Sequence, residues 1–105
     1  MTYFMGAMMN DIYIVGTCTC EGIQDIRSIH RTYNGALAGF KKLCDDIIKQ
    51  DEEFIDYELI NGHSERWINK YHDRIQTLRT YDPDFIEEKL HPSEAPFIMK
   101  REIEK

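Results

Sequence analysis

The chain lacks an apolar run long enough to cross a membrane, and it holds little cysteine and little proline. Among 105 residues there are three cysteines and three prolines. Three thiols cannot all pair, and Cys18 and Cys20 lie too close in one predicted strand to bridge easily. The number and spacing of the cysteines therefore exclude a disulfide-stapled secreted scaffold and predict reduced thiols in a cytoplasmic protein.

Positive charge is also in deficit. Asp and Glu number 19 against 13 Lys and Arg, for a net charge of -6. Phosphate contacts dominate the affinity of proteins for DNA, which argues against duplex DNA as a partner. An acidic chain can still bind a small anion locally, or present an acidic face to a basic protein. The hydrophobic content of 42% fits one globular domain.

The first residues are apolar but contain neither Lys nor Arg, so they do not resemble a signal peptide. The pair Met8-Met9 stands just before Asn10-Asp11, where translation could also begin. We therefore expect an N-terminal extension over 1–9 and a single domain over 10–105.

The first half of that domain predicts a β-hairpin. Residues 11–20 are rich in β-branched and aromatic side chains and then alternate, which predicts a strand. Residues 23–31 predict its partner, although Ile23, Ile26 and His30 also fit the spacing of a short helix.

An amphipathic helix is predicted next. Thr32 is a candidate N-cap, and apolar residues then recur at helical spacing to about Gln50. Gly35 and Gly39 would let this helix lie close to a sheet. Residues 51–60 fit either a short helix or a strand before Asn61-Gly62 breaks the chain.

Two further helices and a strand complete the pattern. Ser64 predicts the start of a helix to Arg79, with Trp67, Tyr71 and Ile75 on its buried side. Its basic stripe is predicted to be the solvated side, although such a stripe could contact an anion or an acidic partner: Arg66, Lys70 and Arg74. Asp82-Pro83 predicts a short helix through Leu90. The strand spans 97–103. Together these elements predict an α+β fold: a small antiparallel sheet, made of the N-terminal hairpin and the C-terminal strand, packs on the long helix, with a helical elaboration over 51–90.

Several cationic and polar side chains lead into the predicted long helix. The positive end of a helix dipole and its free N–H groups favour an anion. These residues therefore predict a site for a phosphate or a nucleotide, with three more cations as remote contributors, although exposed arginines in a strand are more often simply solvated. The near set is Arg27, His30, Arg31, Thr32 and Tyr33, and the remote set is Arg66, Lys70 and Arg101.

Acidic residues concentrate in the middle of the chain. Such a region could bind the basic groove of a protein partner, or it could simply solvate the end of a helix. It supports the alternative hypothesis of an inhibitor that binds a basic host protein. The residues are Asp45, Asp46, Asp51, Glu52, Glu53, Asp56 and Glu58.

Catalytic and metal-binding motifs are scarce. The chain has no H-E-x-x-H, G-x-S-x-G or P-loop motif, and its C-x-C spacing is not that of a zinc site. A small nucleotide hydrolase, with His30 or His72 as base and Cys18 or Cys20 as nucleophile, is a third hypothesis. We predict no cofactor, no metal and no enzymatic activity.

Three stretches of the chain resemble small proteins encoded by bacteriophages and prophages: residues 10–15, 31–37 and 96–103. The resemblance implies a protein that binds and blocks host machinery, as anti-CRISPR proteins, polymerase inhibitors and proteins that sequester nucleotide signals do. The sequence therefore leads us to expect a non-enzymatic counter-defence protein in the host cytoplasm. We expect it to sequester a nucleotide-like anion and to form a homodimer or a larger oligomer.

Overall fold

Three antiparallel strands pack against a long helix in the computed structural model, which describes residues 11–18, 22, 24–62 and 65–103. The α+β fold predicted from the sequence is confirmed. The predictions for the extension over 1–9, for Cys20 and for Ser64 lie outside the described residues. No helix among the described residues is long and apolar enough to cross a membrane.

The sheet has the order β2-β1-β3. Strand β1 spans Asp11–Cys18 and lies between β2, Gln24–His30, and β3, Pro96–Glu102. Residues 24–30 are therefore a strand, and the short helix considered for them is wrong. Both pairings are antiparallel, as expected for a hairpin followed by a returning strand.

Alternation along the strands decides which side chains form the core. Val15 lies opposite Ser28 on β2 and Ile98 on β3, and it is completely buried. Ile14 lies opposite Ile29 and Met99, so these three side chains point to the other face of the sheet.

A β-bulge interrupts the β1–β2 pairing between Val15 and Gly16. A Cβ placed on Gly16 would collide with the carbonyl oxygen of Asp25 and lie 3.2 Å from the Cα of Ile26. Both obstacles are backbone atoms, which cannot rotate away. Glycine at this position lets the two strands keep their spacing through the bulge.

Replacing Gly16 by alanine should therefore lower the free energy of unfolding by about 1–3 kcal/mol, the usual cost of overpacking. Urea denaturation of the variant measures the loss, and Gln24→Ala at the exposed end of β2 is the control. A Gly16→Ala protein as stable as the wild type would contradict this account of the bulge.

Helix α1 spans Tyr33–Asn61. The hydroxyl of Thr32 accepts a hydrogen bond of 3.0 Å from the backbone N–H of Gly35, which confirms the predicted N-cap. Gly62 ends the helix in the left-handed conformation, with φ of 67°. The helix continues past Gln50, so the strand considered for 51–60 is wrong.

Three short elements follow. Helix α2 spans Glu65–Leu78, helix α3 spans Pro83–Lys89, and a 3-10 turn at Pro92–Glu94 leads into β3. The carboxylate of Asp82 caps α3, as predicted. The core joins the inner face of α1 to β1, α2 and α3; its buried apolar residues are Val15, Ala36, Phe40, Leu43, Cys44, Ile48, Ile55, Ile75, Leu78, Ile86 and Ala95.

Candidate functional site

Helices α1 and α2 form an antiparallel hairpin whose far end carries a cluster of apolar side chains. The rings of Phe54 and Tyr71 stack between the helices, with centroids 5.5 Å apart and planes 13° from parallel. Tyr57 lies one turn beyond Phe54 on α1, and Trp67 lies one turn before Tyr71 on α2. Helical spacing therefore brings these four aromatic residues to one region of the hairpin.

Much of this cluster is exposed to solvent. Ile60 is 84% exposed, Tyr57 56% and Trp67 52%. Scattered single apolar residues are common on protein surfaces, but contiguous groups of large ones mark interaction sites. We call this group the hairpin-end surface, and it consists of Phe54, Tyr57, Ile60 and Trp67.

Cationic side chains border the hairpin-end surface on the α2 side. The Nζ atom of Lys70 lies 5.4 Å from the centroid of the Trp67 ring and 3.6 Å from a carboxylate oxygen of Glu94. A cavity of about 300 Å³ is lined by Arg66, Trp67 and Lys70. The indole therefore stands beside a depression that a side chain of a partner could fill.

Acidic side chains border the same surface on α1, but the acidic region predicted from the sequence is smaller than expected. Glu53 and Asp56 are exposed. Asp51 is completely buried: Arg74 donates to both of its carboxylate oxygens, the Nε bond measuring 2.7 Å. Glu52 forms an exposed ion pair with Arg79 at 3.3 Å. Asp51 therefore belongs to the interior and cannot meet a partner.

Two sequence predictions about which residues of α2 are buried are wrong. Trp67 was assigned to the buried side of the helix, but half of it is exposed, whereas Ile75 is buried. Arg74 was assigned with Arg66 and Lys70 to a solvated stripe, but its side chain is only 20% exposed and pairs with Asp51. Apolar spacing identifies one side of a helix, but it does not show how far along the helix the core extends.

The residues predicted to bind an anion are only partly brought together. Arg27 and His30 line a cleft of about 370 Å³ between β2 and α1, together with Ser28, Lys42 and Asp46. Sequence reasoning missed Lys42, although it follows Gly39 by three residues on the side of α1 that faces β2.

Arg27 and His30, the two predicted site residues in this cleft, already interact with other side chains. The Nε atom of Arg27 lies 3.2 Å from a carboxylate oxygen of Asp25. His30 shares a hydrogen bond of 2.7 Å with the Ser28 hydroxyl. A Cβ on Gly39 would lie 2.7 Å from His30 Nε2, so the imidazole occupies the space that this glycine leaves. His30 thus has a packing role as well as a place in the cleft.

The other predicted site residues lie elsewhere. Arg31 is exposed ahead of α1, and the Thr32 hydroxyl already caps the helix. The Tyr33 ring packs edge-on against Tyr13 at 5.7 Å. Arg101 lies on β3, which is the opposite edge of the sheet from β2.

Arg66 and Lys70 are far from the cleft. On α1 the cleft extends only from Gly39 to Asp46, so the hairpin end lies roughly 20 Å farther along the helix. These two cations line the cavity beside Trp67 and not the one that contains Arg27.

The groups considered for a hydrolase occupy three separate cavities. His30 lines the β2–α1 cleft, His72 lines a groove between α1 and α2, and Cys18 lines an apolar cavity beside β3. Burial raises the pKa of Cys44 to about 12, so that thiol is not a ready nucleophile. Within 11–18, 22, 24–62 and 65–103, no three His, Cys, Asp or Glu side chains are placed to hold a metal ion.

Comparison with known proteins supplies no relative. No protein family, curated protein or solved structure matches the chain significantly.

Proposed function

We propose that this chain is a non-enzymatic binding protein that docks on another protein through its hairpin-end surface. The observation that carries the proposal is the joint exposure of Tyr57, Ile60 and Trp67 at one end of the helical hairpin. Burying a large apolar side chain completely is worth about 1.5–3 kcal/mol. At this end of the hairpin much apolar surface stays in contact with water, and a partner that covered it would gain the free energy of burying it.

The residue types at this end fit protein recognition. Tryptophan, tyrosine and arginine are enriched among the residues that dominate binding energies at interfaces. Here Trp67 and Tyr57 supply aromatic anchors, and the cavity beside Trp67 can receive a side chain of the partner. Glu53 and Asp56 place negative charge at the rim, which favours a partner with an apolar centre and a basic border.

The resemblance to phage-encoded proteins suggests which partner to seek. Proteins of that kind often block a component of the host, so the expected partner is a basic host protein and the expected outcome is its inhibition. This proposal develops the acidic-region hypothesis, with Glu53 and Asp56 taking the role that Asp51 cannot have.

Affinity capture from a host lysate tests the proposal. We expect the wild-type chain to retain a basic protein that a variant with Tyr57→Ala and Trp67→Ala does not retain. Phe85→Ala is the matched control, because Phe85 is 37% exposed and has Lys89 over its ring at 5.6 Å, much as Trp67 has Lys70. Equal retention by the double variant and the wild type would overturn the proposal.

Sequestration of a nucleotide-like anion is the second candidate function, and the β2–α1 cleft is the observation that favours it. Arg27 and Lys42 bring two cations to a cavity of about 370 Å³ that also holds His30. Phosphate groups would meet these cations through charge-assisted hydrogen bonds. Asp46 in the same lining opposes an anion, and this is why we place the candidate second.

This candidate predicts a small molecule that leaves the protein on heating. After incubation with lysate from infected cells, the wild-type chain should release a nucleotide in near-stoichiometric amount, as detected by mass spectrometry. A variant with Arg27→Ala and Lys42→Ala should release none, whereas Lys41→Ala, outside the cleft, should behave as the wild type. Equal release from all three proteins would exclude the cleft as the site.

A further inference from the structure

Strand β2 forms one edge of the sheet and presents apolar side chains to solvent. Among the residues that the structure describes, β2 pairs only with β1. Ile26 is 50% exposed and Ile29 is 59% exposed. An edge strand with exposed apolar side chains is a ready template for pairing with another strand.

The charges of β2 are arranged so that the strand complements itself. Asp25 and Arg27 flank Ile26, and because their side chains form an ion pair at 3.2 Å they lie on the same face of the strand. If two copies of β2 run antiparallel with a two-fold axis at Ile26, Asp25 of one copy stands opposite the partner's Arg27. The same opposition recurs on the other side of the axis, as an isologous interface requires.

We propose that two copies of this chain associate through β2 about that axis and form a continuous six-stranded sheet. The two Ile26 side chains meet at the axis, on the face of the sheet away from the charges. Directly opposed residues of unlike charge stabilise an antiparallel pair, and like charges destabilise it. The occupant of this edge is thus a second copy of the chain.

Charge also selects the register. If the axis lay at Arg27, the two Arg27 guanidinium groups would stand opposite each other and repel. If it lay at Asp25, the two Asp25 carboxylates would repel in the same way. Arg27 is the extra residue of the β2 bulge, without a register partner on β1, and bulges and charged side chains often protect an edge strand from pairing. In β2 the two charges are of opposite sign and two residues apart, so in one register they attract the partner strand.

Charge exchange tests the proposal without any unknown ligand. Light scattering should give the wild-type chain a mass twice the 12.5 kDa of one copy. Asp25→Arg puts two positive charges on each strand and Arg27→Asp puts two negative charges there, so each variant alone should have the mass of one copy. An equimolar mixture of the two variants should regain the mass of two copies, because unlike charges then oppose one another at both positions.

Controls separate this interface from the other surfaces. Lys42→Ala removes a cation of the β2–α1 cleft, and Glu88→Arg reverses a charge on α3, so both variants should keep the mass of two copies. Circular dichroism establishes that the single variants are folded. A monomeric wild type, a two-copy mass for either single variant, or a mixture that stays monomeric would each overturn the proposal.

Discussion

Arg74→Met should lower the free energy of unfolding by about 3–5 kcal/mol, the usual cost of leaving a buried charge without its partner. The Asp51 carboxylate is completely inaccessible and accepts hydrogen bonds from Nε and a terminal nitrogen of Arg74. A third nitrogen of Arg74 lies 3.5 Å from the backbone oxygen of Glu94. The guanidinium therefore joins α2 to α1 and to the turn before β3.

Urea denaturation measures the loss, and the chain offers a matched control. Arg79 follows the last residue of α2 and also pairs with an acidic residue of α1, Glu52, but both side chains are more than half exposed. Arg79→Met should therefore change stability by only about 0–1 kcal/mol. The double change Asp51→Leu and Arg74→Met should recover much of the loss, because it leaves no buried charge. Similar losses in the Arg74 and Arg79 variants would contradict the assigned role of the buried pair.

Trp67→Ala should weaken binding to the partner by about 2–4 kcal/mol, which corresponds to about a 30-fold to 1000-fold rise in Kd. The side chain is a large aromatic group, half exposed in the free chain, beside a cavity that a partner can fill. The loss should appear mainly as faster dissociation. Calorimetry with the purified captured protein measures it.

The same substitution should lower the free energy of unfolding by no more than about 1–2 kcal/mol, because only about half of the Trp67 side chain is buried. A Trp67→Ala protein that binds as well as the wild type would remove the hairpin-end surface from the interface. A large loss of stability would show instead that Trp67 supports the fold.

The starts of two helices could be predicted from local chemistry. Thr32 caps α1 and Asp82 caps α3 because each side chain satisfies N–H groups only two or three residues away. The strand at 24–30 was harder to predict, because its bulge shifts the alternation of side chains and the spacing of Ile23, Ile26 and His30 also fits a helix.

The full extent of α1 could not be predicted because a charge stands in its apolar stripe. Asp51 lies where a helix of this period needs a buried residue, and an Asp followed by Glu52 and Glu53 indicates the end of the buried side. Its partner Arg74 is 23 residues away in the chain. Only the tertiary pairing of the two residues shows that the stripe continues to Ile55, and with it the helix.

The candidate site was missed for a similar reason. Trp67, Tyr71 and Ile75 have the spacing of a buried helical side. In the structure, however, Ile75 is buried, Tyr71 is partly buried and Trp67, nearest the hairpin end, is half exposed. Sequence spacing fixes the side of α2 that turns toward α1, but the position where the core stops depends on the length of α1. The basic cluster at 27–33 was visible in the sequence, but its members diverge once β2 ends and α1 begins.

The emission of Trp67 tests the central claim most directly, because it is the chain's single tryptophan and lies in the hairpin-end surface. Titrating the chain with its captured protein partner should shift the emission to the blue, as the indole leaves water. A nucleotide added to the same protein should leave the emission unchanged, since the β2–α1 cleft lies roughly 20 Å away along α1. A partner that binds without any change in emission, and binds Trp67→Phe and Trp67→Ala equally well, would contradict the account.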